Sequence, residues 1–137
     1  MAYFKDADEV YRYIGGIFEE ALQDPELSDR LVTSGVVLRI NCREPTATIL
    51  VDMPKRTVTS GAAPDTPATV ALSMNADVAH RFWLGKVNIS MALAKGEMRA
   101  KGPVPQILKL VPVARQLFPR YRKLLEAAGR FDLVNGT

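Results

Sequence analysis

Apolar positions in the first part of the chain recur at helical spacing. Asp6 and Glu9 resemble a capping box, in which a side chain accepts a hydrogen bond from a first-turn backbone N–H. One apolar stripe follows, made of Val10, Ile14, Ile17, Phe18, Ala21 and Leu22. Asp24 and Pro25 suit the N-cap and first position of a second helix, "DPELSDRLV". The pattern therefore predicts two amphipathic helices before residue 35.

From Gly35 the hydrophobic period changes to two, which is typical of half-buried strands. The segments "VVLRIN" and "TATILVDM" alternate apolar and polar residues, "KRTVTSG" is a more polar strand near an edge, and "ATVALSM" follows the loop "GAAPDTP". Four short strands in succession favour an antiparallel meander.

Helical signals then return. Asn75 can cap "ADVAHRFWL", which ends at Gly85, and Asn88 can cap "ISMALA", which ends at Gly96. The segment "EMRAK" predicts a fifth strand with Met98 and Ala100 pointing inward and Glu97, Arg99 and Lys101 outward. Pro112 and Pro119 are expected to divide the last forty residues into short helices. The chain is predicted to be an α+β domain, a five-stranded, antiparallel-dominated sheet with helices packed on one face.

Composition and charge narrow the class of protein. The 137 residues predict a single domain over 1–137, and the lone cysteine and absence of a signal-like segment predict a cytoplasmic protein. Residues 1–94 carry a net charge of −3 and residues 95–137 carry +6. The basic C-terminal third can contact an anionic membrane surface, a phosphate-bearing acyl thioester or an acidic partner enzyme, or it can simply be a solvated face.

No group of residues indicates catalysis. His80 is the only histidine, and its place in a helix beside Arg81 predicts a surface or partly buried role. Cys42 ends a strand without a neighbouring base, which indicates packing, and one histidine with one cysteine cannot form a usual zinc site. Few aromatic residues interleave with the basic ones, Tyr121 excepted, which argues against nucleic-acid binding. We therefore expect no catalytic residues, no metal and no cofactor. A binding function is favoured over a catalytic one.

The segment "ATVALSMNADVAHRFWLGKVNISMALAKGEMRAKG" resembles the sterol carrier protein 2 (SCP-2-like) lipid-binding domain family. Its matching positions are Ser73, Asp77, Leu84, Gly85, Asn88, Ala92, Gly96 and Gly102. The stretch "FEEALQDPELSDRLVTSGVVLRINCREPTATILVDM" is similar to the bacterial standalone members, so the resemblance covers about residues 10 to 128. It implies a five-stranded sheet, a tunnel between sheet and helices, and non-catalytic binding of sterols, fatty acids, acyl-CoAs or similar lipids.

The methionines fit an adaptable cavity wall, because methionine is unbranched and flexible, although each of them also fits an ordinary core. The predicted ligand-binding residues are Met53, Met74, Phe82, Trp83, Ile89, Met91, Leu93, Met98, Ile107, Leu108, Val111, Leu117 and Phe118. Three functions remain open. The first is a carrier of a hydrophobic ligand, the second is an accessory module that docks on an enzyme and presents its hydrophobic substrate, and the third is a small cavity enzyme such as an isomerase.

Overall fold

The computed structural model describes residues 2–135 and contains helices at both ends of the chain around a central sheet. The helical elements are α1 (Ala7–Val10), a π-helical turn (Tyr11–Gly15), α2 (Gly16–Gln23), α3 (Pro25–Ser34), α4 (Ala76–Trp83), α5 (Ile89–Lys95), α6 (Val104–Leu108), α7 (Val111–Ala127) and α8 (Phe131–Asn135). The strands are β1 (Val37–Arg43), β2 (Ala47–Asp52), β3 (Thr57–Ser60), β4 (Val70–Asn75) and β5 (Met98–Lys101). Among residues 2–135, no helix combines the length and apolar character that crossing a bilayer requires.

The five strands form one mixed sheet in the order β3-β2-β1-β4-β5. The pairs β3–β2, β2–β1 and β4–β5 are antiparallel, as predicted for most of the sheet, and β1 and β4 are parallel. The expectation of a four-strand meander was therefore wrong at β4. The loop over residues 61–69 crosses the outer face of β1, where Arg39 donates to the carbonyl of Thr66 (2.5 Å) and Asn41 to that of Pro64 (3.1 Å). Because the chain is carried past β1 in this way, β4 returns beside β1 in the same direction.

The two faces of the sheet differ as the alternation predicts. Leu38, Ile40, Leu72 and Met74 are buried against the helices, and Met98 of β5 joins them. Residues between these positions, such as Arg39 and Asn41, point to the opposite face and are less buried. The helical layer thus covers one face only.

The predicted caps form at the ends of the N-terminal helices. Asp6 accepts a hydrogen bond from the backbone N–H of Glu9 (3.0 Å), and Asp24 accepts from those of Glu26 (2.9 Å) and Leu27 (3.0 Å). The Arg120 guanidinium also bonds the Asp24 carboxylate. These hydrogen bonds lower the pKa of Asp24, the backbone bond from Leu27 having the largest effect.

The C-terminal region differs from the expected series of short helices. Pro112 lies in the first turn of α7, where proline is tolerated, but α7 continues through Pro119 to Ala127. Proline at position 119 cannot donate to the carbonyl of Arg115, the partner four residues earlier. Both residues are exposed, so water can satisfy that carbonyl and the helix need not end.

His80 is completely buried, which corrects the expected surface or partly buried position. Its Nε2 lies 2.9 Å from the Leu133 carbonyl, which can only accept, and its Nδ1 lies 2.7 Å from the Tyr121 hydroxyl. The neutral ring therefore donates through Nε2 and accepts through Nδ1. Burial lowers the pKa of His80 to about 4, so the ring stays neutral at pH 7 and joins α4 to α7 and α8.

Candidate functional site

A cavity lies between the inner face of the sheet and the helices. Its floor is formed by side chains of β1, β4 and β5, which are Leu38, Ile40, Leu72, Met74 and Met98. Its other lining residues are Ile14, Phe18, Ala21, Leu31, Met53, Ala79, Phe82, Trp83, Ile89, Ile107, Leu110, Val111, Val113, Ala114 and Leu117. The apolar face of the sheet and the apolar faces of the helices both point toward this space, because each must be buried against the other.

The cavity measures about 90 Å³. Pockets that hold drug-sized ligands measure about 300–1,000 Å³, so this space is too small for a long hydrocarbon chain unless a wall moves outward. One wall consists of α6, the turn after it and the start of α7. Within α6 only Ile107 is buried, so a single buried side chain anchors this helix to the core.

Most of the predicted ligand-binding residues lie in the lining. They are Met53, Met74, Phe82, Trp83, Ile89, Met98, Ile107, Val111 and Leu117. The fold therefore brings together side chains that are up to sixty-four positions apart in sequence, from Met53 to Leu117.

Four predicted residues, Met91, Leu93, Leu108 and Phe118, do not line the cavity. Met91 is 56% exposed, and Leu93 packs partly buried at the edge of the core. Met91 lies two positions after Ile89 on the helix α5, in which positions three or four apart share a face. Accordingly Ile89 and Ala92 are the buried pair of α5.

Helix geometry also places the other two predicted residues, Leu108 and Phe118, outside the lining. Leu108 follows Ile107 by one position on α6, about 100° around the helix, and is 38% exposed. Phe118 lies behind the lining, where its ring meets that of Phe82 edge-to-face at 5.5 Å. A Cβ atom on Gly85, whose φ is +81°, would approach Phe118 to 3.2 Å, so the glycine that ends α4 also makes room for this ring.

The N-terminal helices contribute to the lining, which the sequence pattern did not predict. Ile14, Phe18 and Ala21 belong to the apolar stripe of that pattern, yet nothing in that stripe indicates which element it contacts. Phe18 meets Trp83 edge-to-face at 5.3 Å, which places the N-terminal stripe against α4. Ala79 and Ala114 were also missed, and their small side chains leave part of the space unfilled.

The cavity offers apolar contact and no acid–base chemistry. None of its lining residues, all within residues 2–135, carries a titratable side chain. Cys42 lies on β1 outside the lining, and burial raises the pKa of its thiol to about 12, so it stays protonated. No three potential metal ligands come together in the part of the chain described. The arrangement can exclude water from a hydrocarbon, which is worth about 0.8 kcal/mol per methylene.

Comparisons with known proteins agree with this architecture. A sequence model of the SCP-2 sterol transfer family matches residues 17–115. No curated protein sequence matches significantly. The fold is similar to the solution structure of sterol carrier protein domain 2 of Helicoverpa armigera, with a TM-score of 0.66 at 17% identity over 87% of this chain and 94% of that one.

Two further solved structures share the fold. The UbiJ-SCP2 ubiquinone synthesis protein has a TM-score of 0.59 at 16% identity, covering 85% of this chain and 95% of its own. Sterol carrier protein 2 of Aedes aegypti, solved with palmitate, has a TM-score of 0.56 at 23% identity, covering 83% of this chain and 96% of its own. At these identities the structural likeness concerns the fold alone.

Proposed function

Because the chain belongs to the SCP-2 sterol transfer family, we propose that it binds a hydrophobic ligand in the cavity between sheet and helices and carries it without catalysis. Sterols, fatty acids and acyl-CoAs or similar lipids are the ligand classes. The observation that carries the proposal is the wholly apolar lining, which combines flexible methionines with aromatic rings and has no titratable group. In this proposal the whole chain, residues 1–137, acts as one domain in the cytoplasm.

The energetics favour a ligand with a long hydrocarbon part. Burial of ten methylenes gives about 8 kcal/mol before the costs of ordering and association are subtracted. The 90 Å³ space accepts only a small part of such a chain, so binding requires α6 and the start of α7 to move outward. Ile107 is the only buried side chain of α6, so few buried apolar contacts of that helix oppose the movement.

Trp83 supplies a direct test, since it is the only tryptophan and lines the cavity. Delipidated protein is titrated with palmitate and with a palmitate analogue brominated in mid-chain, while tryptophan emission is recorded. We expect palmitate to change the emission and the brominated chain to quench it, because bromine quenches indole only at short range. Free palmitate should reverse the quenching.

The matched control is Trp83→Phe, which keeps an aromatic wall and is followed by displacement of a fluorescent fatty acid. It should bind with affinity within about threefold of wild type. Saturable binding without quenching by any brominated position would place the ligand elsewhere and overturn the proposal. Absence of binding for palmitate, a sterol and an acyl-CoA would do the same.

The second candidate function is an accessory module that presents a hydrophobic substrate to a partner enzyme. The observation that favours it is the exposure of Met91 (56%) on α5, the helix that contributes Ile89 to the lining, and of Leu108 (38%), which follows the lining residue Ile107. Arg120 and Arg122 of the basic C-terminal third are instead engaged within the chain, with Asp24 and with the Leu84 carbonyl (2.8 Å) respectively. The variant Met91→Ser/Leu108→Ser should lose a co-purifying enzyme while keeping palmitate affinity, and retention of that enzyme would count against this role.

A further inference from the structure

A second concave surface lies on the opposite face of the sheet from the cavity. It is a groove of about 580 Å³ across β1, β4 and β5, and we call it the basic groove. Its flanks carry Arg39 and Arg43 from β1 and Arg99 and Lys101 from β5. Its floor is β4, which contributes Ala71 and Ser73.

The strand register explains the shape of the basic groove. Ala71 pairs with Arg39 on one side and Lys101 on the other, and Ser73 pairs with Asn41 and Arg99. Neighbouring strands are about 4.8 Å apart, so the two flanks are separated by about 10 Å, and Arg39 and Arg43 by about 13 Å along β1. Long cationic side chains therefore surround a row of small ones, which leaves a trough.

The charge of the basic groove is not neutralised from within. Among the described residues, none of the four cations forms an ion pair. Glu44, next in sequence to Arg43, lies outside the lining, and its carboxylate accepts from the Asn75 side chain (3.1 Å). Four positive charges around one trough repel each other, and a bound anion of high charge relieves that repulsion.

One wall of the basic groove is already fixed in position. The Arg39 Nε donates to the Asn41 Oδ1 (2.9 Å) and its Nη1 to the Thr66 carbonyl (2.5 Å). These bonds hold the guanidinium without neutralising it. A positioned guanidinium loses less side-chain entropy on binding a phosphate, to which its remaining N–H groups can donate.

We propose that the basic groove binds a compact soluble anion that carries two or more phosphate groups. The lining contains no aromatic ring to stack on a base, which argues against single-stranded nucleic acid. The lining contains no large apolar side chain that could insert into a bilayer. A concave groove also makes little contact with the flat surface of a bilayer. This site lies across the sheet from the apolar cavity and does not depend on the function proposed for that cavity.

Inorganic tripolyphosphate is the probe, titrated calorimetrically at 50 mM salt. We expect saturable binding that Arg99→Gln/Lys101→Gln weakens at least tenfold. The control Lys109→Gln/Arg115→Gln removes the same charge from exposed positions outside the groove and should stay within twofold of wild type. Ser73→Glu, which places a carboxylate on the floor, should weaken binding as much as the double variant. All variants should unfold in guanidinium at a midpoint close to that of wild type, which separates loss of the groove from loss of the fold.

Two results would overturn the proposal. If tripolyphosphate does not bind the wild type, or if both double variants weaken it equally, the affinity reflects diffuse surface charge and the groove is not a site. Vesicles containing 30% phosphatidic acid form a second arm of the experiment. Vesicle binding that is lost in Arg99→Gln/Lys101→Gln, with no binding of tripolyphosphate, would show that the occupant is a membrane and refute the soluble anion.

Discussion

Enlarging one small side chain on the cavity wall should raise stability and abolish ligand binding together. Ala114 lies on α7 and lines the cavity. The substitution Ala114→Leu adds three carbon atoms that project into the 90 Å³ space. An ordinary core has no such vacancy, so the same change there would overpack the interior and lower stability.

The size of the effect follows from the cavity volume. At about 24 cal/mol per Å³, the empty space costs about 2 kcal/mol, which is the most that filling it can recover. For a chain of this length that gain corresponds to a rise in Tm of up to roughly 8 °C. Binding of palmitate should weaken at least tenfold, because the added side chain occupies the volume into which the hydrocarbon must first enter.

Guanidinium unfolding and displacement of a fluorescent fatty acid measure the two effects. Ala127→Leu is the matched control, since it makes the same chemical change at an exposed position of the same helix. It should alter neither quantity appreciably. The reasoning is refuted if Ala114→Leu binds palmitate like wild type, which would place the ligand elsewhere, or if the variant is destabilised, which would mean that the space is not available.

Four further predictions concern stability and access. Acidification from pH 7.5 to pH 5 should lower the free energy of unfolding by about 2 kcal/mol, because burial lowers the pKa of His80 from 6.5 to about 4 and the unfolded chain then binds the proton more tightly. Guanidinium titrations of His80→Gln should show a flatter dependence, and an unchanged slope would exclude His80 as its source. Gly102→Ala should cost at least about 2 kcal/mol in the same assay, because its Cβ would lie 2.4 Å from the Thr69 carbonyl oxygen at a φ of +103°. Gly129→Ala, with a φ of +73° and open space, should cost only about 1 kcal/mol, and equal costs would contradict the contact. Cys42 should react with a thiol reagent only as fast as the protein unfolds, since burial raises its pKa to about 12, and rapid native labelling would argue otherwise. Amides of α6 should exchange with solvent faster than those of β1 and β4, and faster exchange in the strands would contradict α6 as the moving wall.

Local sequence patterns determined the elements and their faces. The caps at Asp6, Asp24, Asn75 and Asn88 all form, because a cap needs only a side-chain oxygen and N–H groups two or three residues away. The period of two in β1, β2 and β4 likewise identified the buried face, since alternation follows from strand geometry alone. Nine of the twenty residues that line the cavity were among the predicted ligand-binding residues.

Local rules did not place every residue, because some positions depend on which side of an element meets solvent. Met91 lies on the exposed side of α5, whose buried residues are Ile89 and Ala92, since positions three or four apart share a face of a helix. Pro119 did not end α7, and both Pro119 and Arg115, whose carbonyl loses its partner, are exposed residues. Neither position depends on a contact with a distant residue. Each depends on whether that residue is exposed to solvent, and the hydrophobic pattern indicates exposure only as an average over an element.

Only the tertiary structure determined the pairing of β1 with β4 and the surface features that depend on this pairing. That pairing sets Ala71 and Ser73 between two cationic strands, and so makes the basic groove from residues that lie up to sixty-two positions apart. The packing of the helices on the sheet likewise sets the separation between the two layers, and hence the cavity volume. Such distances depend on which elements meet and on how closely all their side chains pack. The hydrophobic pattern of a sequence indicates which faces must be buried. The volume of a cavity between two buried faces is the small difference between the volume that separates them and the volume of the side chains that fill it, and a local pattern gives neither.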